Sequence, residues 1–225
     1  IDGKSAAVIF FLIVGFFVAV AIAGWFSARA ARRLATWSRE HAQWRDKVTR
    51  RARKRRAKEI DRLAPVAAED DRHFGEGEVC AAAERLFRDV QLAWDGADIP
   101  RLRQLVEGDL MVEWERRLID FDRKGWHNHV AVRDLRVEYV GLNNRGDDTR
   151  DRVVVRMAAF MDDYVKDGFG RLIAHSGNPS TEAYLREYWT LAFNGEEGWR
   201  LLSIEQDPEG EHHLHDPLVP LPEED

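Results

Sequence analysis

Residues 6–26, AAVIFFLIVGFFVAVAIAGWF, run for 21 positions without one charged side chain. At about 1.5 Å per residue, roughly 20 helical residues cross the ~30 Å hydrocarbon core of a bilayer. A helix that is apolar on every side has no face to offer water, so Ala6 to Phe26 is expected to span a membrane. A secretory signal would carry positive charge ahead of a shorter apolar core. Here only Asp2 and Lys4 precede the run, while Arg29, Arg32 and Arg33 follow it. The sequence opens on Ile1 rather than Met, so residues upstream are expected.

Charge gives the expected span a direction. Residues 27–63 hold 14 Lys or Arg against 4 Asp or Glu, a net +10. Basic flanks stay on the cytoplasmic side, which places the C-terminal domain in the cytoplasm. The whole chain carries −6 and residues 1–26 are neutral, so residues 64–225 carry −16. An acidic body of that size excludes nucleic acid as its partner, since phosphate contacts need basic surface. The single cysteine, Cys80, excludes a disulfide framework and zinc-finger spacing.

The basic neck, residues 27–63, lacks Gly and Pro and reads as one helix. Leu34, Trp37, His41, Trp44 and Val48 recur at steps of 3 and 4, a narrow seam for a partner helix that lapses at Arg51. The cationic stretch that follows supplies Arg50, Arg51, Arg53, Lys54, Arg55, Arg56 and Lys58 as candidate contacts to anionic lipid headgroups. Each such charge contributes about 1 kcal/mol at a lipid surface. A solvated spacer helix explains the same composition, and both readings stay open. Pro65 and the acidic residues after it predict a linker over 64–75.

Beyond the linker the periodicity is helical and then alternating. Val79, Ala83, Leu86, Phe87, Val90 and Trp94 mark an amphipathic helix ending at Asp95-Gly96. Asp98 and Pro100 open a short second helix, and Asp109 is expected to cap a third that Gly125 ends. Leu135, Val137 and Tyr139 alternate along a strand, and DRVVVRMAAFM forms a second, more deeply buried one. A polar connection is expected over roughly 162–180. Leu185, Trp189, Leu191 and Phe193 then form a third strand, and the NGEEG turn leads into a fourth, WRLLSIEQ. The expected fold is α+β: about four antiparallel strands in a curved sheet packed on three helices.

GEVCAAAERLFRDVQLAWDGADIPRL at the front and EYWTLAFNGEEGWRLLSIEQ at the back resemble the two ends of a Tim44-like domain, a cone related to nuclear transport factor 2. MDDYVKDGFGRLI and EGEHHLHDPLV are similar to the bacterial, membrane-anchored branch of that family. The resemblance covers roughly residues 76–219, leaving 220–225 as a tail. It implies a non-enzymatic scaffold or binding domain at a bacterial inner membrane, acting in protein transport or membrane-complex assembly. It implies binding to lipid or to a protein partner, and no cofactor. An accessory subunit of a larger membrane complex, and a cone-fold enzyme or small-molecule binder, are the alternatives.

The sequence carries few groups suited to catalysis. An enzyme of the cone type needs a carboxylate base facing an acid donor in an apolar pocket. Asp162, Asp163, Glu187, Tyr139 and Tyr188 are the available groups, and nothing in the spacing pairs them, so no catalytic residue is expected. Trp114, Tyr139, Phe160 and Tyr188 are expected to line a pocket for an acyl chain or peptide. EHHLHD, with His212, His213, His215 and Asp216, is the best metal-like string. Its place before PLVPLPEED favours a solvated tail or edge strand, and no metal is expected.

Overall fold

The computed structural model describes residues 46–147, 149–175, 182–195 and 198–222. The expected span Ala6–Phe26 and the seam residues Leu34, Trp37, His41 and Trp44 lie outside them. Among the described residues no helix is long and apolar enough to cross a membrane. Of one compact unit, Ile1–Arg51, residues 46–51 are helical. The second unit is Ala52–Asp225.

Helix α1 covers residues 46–70 and does not stop at Pro65, so the expected linker is largely helix. The reason is burial. Ile60, Ala64 and Ala67 lie on one face with at most 1% of their surface exposed. Pro65 sits on the wet side, where water can take the carbonyl that its missing N–H leaves unpaired. A 3₁₀ turn, Arg72–Phe74, with Asp71 as its cap, then leads into α2, Glu76–Asp95. Helix α3 is Ile99–Leu105, and the Asp98 carboxylate accepts from the Arg101 N–H at 3.0 Å as its N-cap. Helix α4 is Gly108–Lys124. Asp109 lies in its first turn and Glu107 holds the cap position, with no side-chain cap bond from either. Gly125 closes α4 at φ 63°, a left-handed conformation that glycine adopts freely.

The sheet is longer than alternation alone implies. Strand β1 is Trp126–Asn143 and β2 is Arg152–Asp167, paired antiparallel from Trp126↔Asp167 to Asn143↔Arg152. The expected connection over 162–180 therefore begins as strand. Leu172–His175 forms a further strand, β3, on β2. Polar residues such as Asp162 hide this extension from a periodicity reading, because backbone pairing and the Arg133–Asp162 ion pair carry it. Strands β4, Glu182–Phe193, and β5, Trp199–Gln206, complete the order β1-β2-β4-β5. Register shifts at Val132/Asp134 and Tyr139/Gly141 mark bulges in β1, which bend and twist a strand.

Helices α2, α3 and α4 cover one face. Val79, Ala83, Leu86, Phe87 and Val90 of α2 bury against Val153, Val155, Met157, Trp189 and Leu191. Phe87 meets Trp189 with ring centroids 5.0 Å apart. Each such side chain contributes roughly 1.5–3 kcal/mol on burial. The joint between α3 and α4 is fixed to β5: Glu107 N–H donates to the Leu201 carbonyl at 2.8 Å, and Arg200 pairs with Glu107 at 3.0 Å. Opposite lies a smaller cluster of Val140, Val154, Tyr188 and Leu214, against which Ala52 of α1 packs. Helix α5, Asp207–Gly210, and a 3₁₀ turn, Glu211–Leu214, carry the chain back over that second face.

Candidate functional site

A cavity of about 380 Å³ lies between the helical layer and the sheet. Helix α2 contributes Val90, Gln91 and Trp94, and α4 contributes Trp114, Arg117 and Phe121. The sheet contributes Asn128, Met161, Asp163, Leu185, Glu187, Trp189 and Ile204 among others. Trp94 and Trp114 stand together in its wall, with centroids 5.1 Å apart.

Two polar groups set its chemistry. Glu187, 9% exposed, accepts from Trp189 Nε1 at 3.0 Å and from Gln206 Nε2 at 2.8 Å. Burial raises the Glu187 carboxyl above its ordinary value and the Asp163 charge adds to this, while the two donors pull it back. Asn128 offers a buried Nδ2 that finds no partner among the described residues. A carboxylate acceptor and an open amide donor between aromatic walls suit an apolar group that also carries a donor and an acceptor.

Of the four expected lining residues, Trp114 alone lines this cavity. Tyr139 is 4% exposed in the core, and burial together with Cys80 and Glu76 pushes its hydroxyl well up. Tyr188 lies in the second cluster, where burial raises its hydroxyl to about 12. Phe160 stands 39% exposed beside Tyr184. Strand parity explains Tyr188 and Phe160, because residues one position out of step point to the opposite face, whereas Tyr139 packs in the main core apart from the lining. The five acid–base candidates divide the same way: Glu187 and Asp163 share the cavity, and Asp162 is held by Arg133 at 2.8 Å. Glu187 is legible in principle. It is the one polar residue in the inward register Leu185, Glu187, Trp189, Leu191, Phe193.

The seven expected headgroup contacts also divide. Arg50, Arg51, Lys54, Arg55 and Lys58 are exposed. Arg53 instead pairs with Glu138, its Nε donating at 2.9 Å. Arg56 is 2% exposed, donates to the His213 and Asp216 carbonyls at 2.9 and 2.6 Å, and pairs with Glu59 at 3.4 Å. Arg53 is half-buried, whereas Arg56 is internal, and a buried guanidinium is retained only where acceptors surround it. Val48, the described member of the seam, is 43% exposed.

The expected solvated tail is instead a packed segment. Leu214 is 2% exposed, and the His212 and His213 rings lie over Glu205 with centroids 4.0 Å apart, tilted by 41°. Hydrogen bonds from the two imidazoles hold the Glu205 carboxyl below its ordinary range against the opposing effect of burial.

A helical layer over one face of a bent antiparallel sheet, with a cavity between the layers, defines an α+β cone. Residues 65–206 match the Tim44-like domain, 142 of the 225 residues, and the chain belongs to that family. Among curated proteins none matches the chain significantly. Among solved structures it is similar to the intermembrane space region of the chloroplast protein ARC6, at 15% identity and a TM-score of 0.46. That similarity covers 56% of this chain and 95% of the other.

Proposed function

We propose that this chain is a membrane-anchored, non-enzymatic binding domain that acts in protein transport or membrane-complex assembly. Its cavity receives an apolar segment of a partner polypeptide, and its exposed basic residues rest on anionic lipid. Membership of the Tim44-like family and the apolar run Ala6–Phe26 support the setting. The observation that carries the binding role is the cavity itself. Its volume of about 380 Å³ falls within the usual range for ligand sites, roughly 300–1,000 Å³. A peptide presents an apolar side chain to the Trp94 and Trp114 rings, a carbonyl to Asn128 Nδ2 and an N–H to Glu187.

A photoreactive amino acid at position 185 of the full chain in its own membrane tests this. The expected result is a polypeptide adduct that falls about tenfold in the Trp114→Ala variant, the loss of roughly 1.4 kcal/mol of aromatic contact. No adduct, or one indifferent to Trp114→Ala, removes the reading.

The lipid contact is checked separately with the compact unit Ala52–Asp225. Neutralising Lys54, Arg55 and Lys58 together is expected to weaken binding to phosphatidylglycerol vesicles by about 3 kcal/mol, roughly 100-fold. Binding to phosphatidylcholine vesicles is expected to be weak and unchanged. Equal affinity for both vesicle types, insensitive to salt, defeats the lipid half of the proposal.

A second reading, a small-molecule site or enzyme, is favoured by Glu187 and Asp163 sharing one cavity. It predicts a small ligand retained by the purified domain and no polypeptide adduct at position 185.

A further inference from the structure

Strand β5 ends in Glu205-Gln206, and Asp207 to Gly210 reverse the chain at once. In register, Glu205 lies opposite Tyr188, on the face away from the cavity. The reversal presses the backbone against Tyr188: a Cβ on Gly210 would stand 2.4 Å from its Cδ2. The turn Glu211–Leu214 then lays His212 and His213 over Glu205. Leu214 anchors the turn from within, and Arg56 anchors it from α1 through the His213 and Asp216 carbonyls. These side chains are thus set by packing on both sides and are not part of a loose tail.

The geometry is symmetrical. His212 Nε2 stands 2.8 Å from one Glu205 carboxylate oxygen, and His213 Nε2 stands 3.1 Å from the other. Both Nδ1 atoms stand 3.1 Å from Asp216 Oδ2. A neutral imidazole carries one N–H and one lone pair. Each ring here meets a carboxylate oxygen at both nitrogens, so in each neutral ring one nitrogen lone pair opposes an oxygen lone pair. The two ring centroids lie 4.0 Å apart. One divalent cation on the Glu205 side takes both Nε2 lone pairs together with a carboxylate oxygen. Both Nδ1–H groups then donate to Asp216, the outer carboxylate that commonly orients metal-bound histidine.

We propose that Glu205, His212 and His213 form a divalent transition-metal site of the zinc type, oriented by Asp216. Two imidazole nitrogens and a carboxylate oxygen, all within 4.8 Å of one another, are the donor set zinc takes at about 2.0–2.2 Å when a fourth position stays open to water. His212 is half exposed, which gives the ion its entry path. The bound ion ties the C-terminal turn to the end of β5. His215 is not a ligand; its Nδ1 lies 3.3 Å from Arg55.

Zinc ion alone is the probe, titrated into the untagged full chain in detergent against a chromogenic competitor. One equivalent is expected to bind. The His212→Ala/His213→Ala pair is expected to abolish it, and Asp216→Asn to weaken it about 10- to 100-fold. His215→Ala is expected to bind as the unaltered chain does. Glu205→Gln, which keeps the volume and removes the charge, is also expected to abolish binding, and it replaces the paired variant if that one fails to fold. No binding above the level of the paired variant, or equal loss on His215→Ala, overturns the proposal.

Discussion

Replacing Trp189 by alanine is expected to lower the stability of the unit Ala52–Asp225 by about 3–5 kcal/mol, the range for deleting a buried aromatic ring. Trp189 has 0% of its surface exposed, meets Phe87 at 5.0 Å and forms part of the cavity wall. Against a typical total of about 5–15 kcal/mol, a loss of that size takes up a large part of the domain's stability. Urea midpoints with unchanged slope are the measurement. A loss under about 1 kcal/mol would mean that the ring is not packed as described. Trp189→Phe separates the ring from its N–H. It keeps most of the volume but strips one donor from Glu187, with an expected cost of about 1–3 kcal/mol. The pH dependence has a definite sign. The Glu187 carboxyl is raised in the folded state, so its neutral form contributes stability below the ordinary carboxylate range. That contribution is lost as pH rises through the raised folded value. Trp189→Phe removes a bond to the charged form, so the loss shifts to still higher pH.

The features read correctly from the sequence are those with a dense local signal. The stripe from Val79 to Val90 and the Asp98 cap specify α2 and α3 without reference to the rest of the chain. The inward register Leu185, Trp189, Leu191, Phe193 does the same for β4. What is not legible depends on partners far away in sequence. Pro65 stays helical because Ile60, Ala64 and Ala67 find a core, which local propensity cannot register. The polar ends of β1 and β2 become strand because each pairs the other. Arg53 and Arg56 read as free cations, yet their acceptors lie 85 and about 160 residues on, at Glu138 and at the His213 and Asp216 carbonyls. Tyr139 and Tyr188 read as members of a common pocket although the sheet sends them to opposite sides, and only the strand register separates them. The histidine string lacks its third member for the same reason: Glu205 precedes the turn and belongs to β5.

Arg156 carries the second large expected effect, because it holds the face of the sheet that the main core does not reach. It is 3% exposed. Its Nε and Nη2 donate to the two oxygens of Asp207 at 2.6 and 3.2 Å. Its Nη1 is 3.7 Å from Glu138, and its guanidinium lies 6.0 Å over the Tyr188 ring. One side chain therefore connects β1, β2 and β4 to the start of α5. Arg156→Ala leaves the Asp207 carboxylate without its cation, while Glu138 keeps its pair with Arg53. Removing one member of a buried pair costs about 3–5 kcal/mol, but Asp207 retains some access to water, so about 3 kcal/mol is expected. Arg156→Lys is expected to recover little, since an ammonium cannot reproduce the two-point contact. Amide exchange distinguishes a local from a global effect. The His215 and Asp216 amides, both bonded to the His212 carbonyl, should lose protection before the strands do. Unchanged protection there, with a stability loss under about 1 kcal/mol, would sink the assignment. If the C-terminal turn does loosen, zinc affinity must fall with it, although Arg156 touches none of Glu205, His212 and His213. A preformed ligand set binds more tightly than one that must first be ordered.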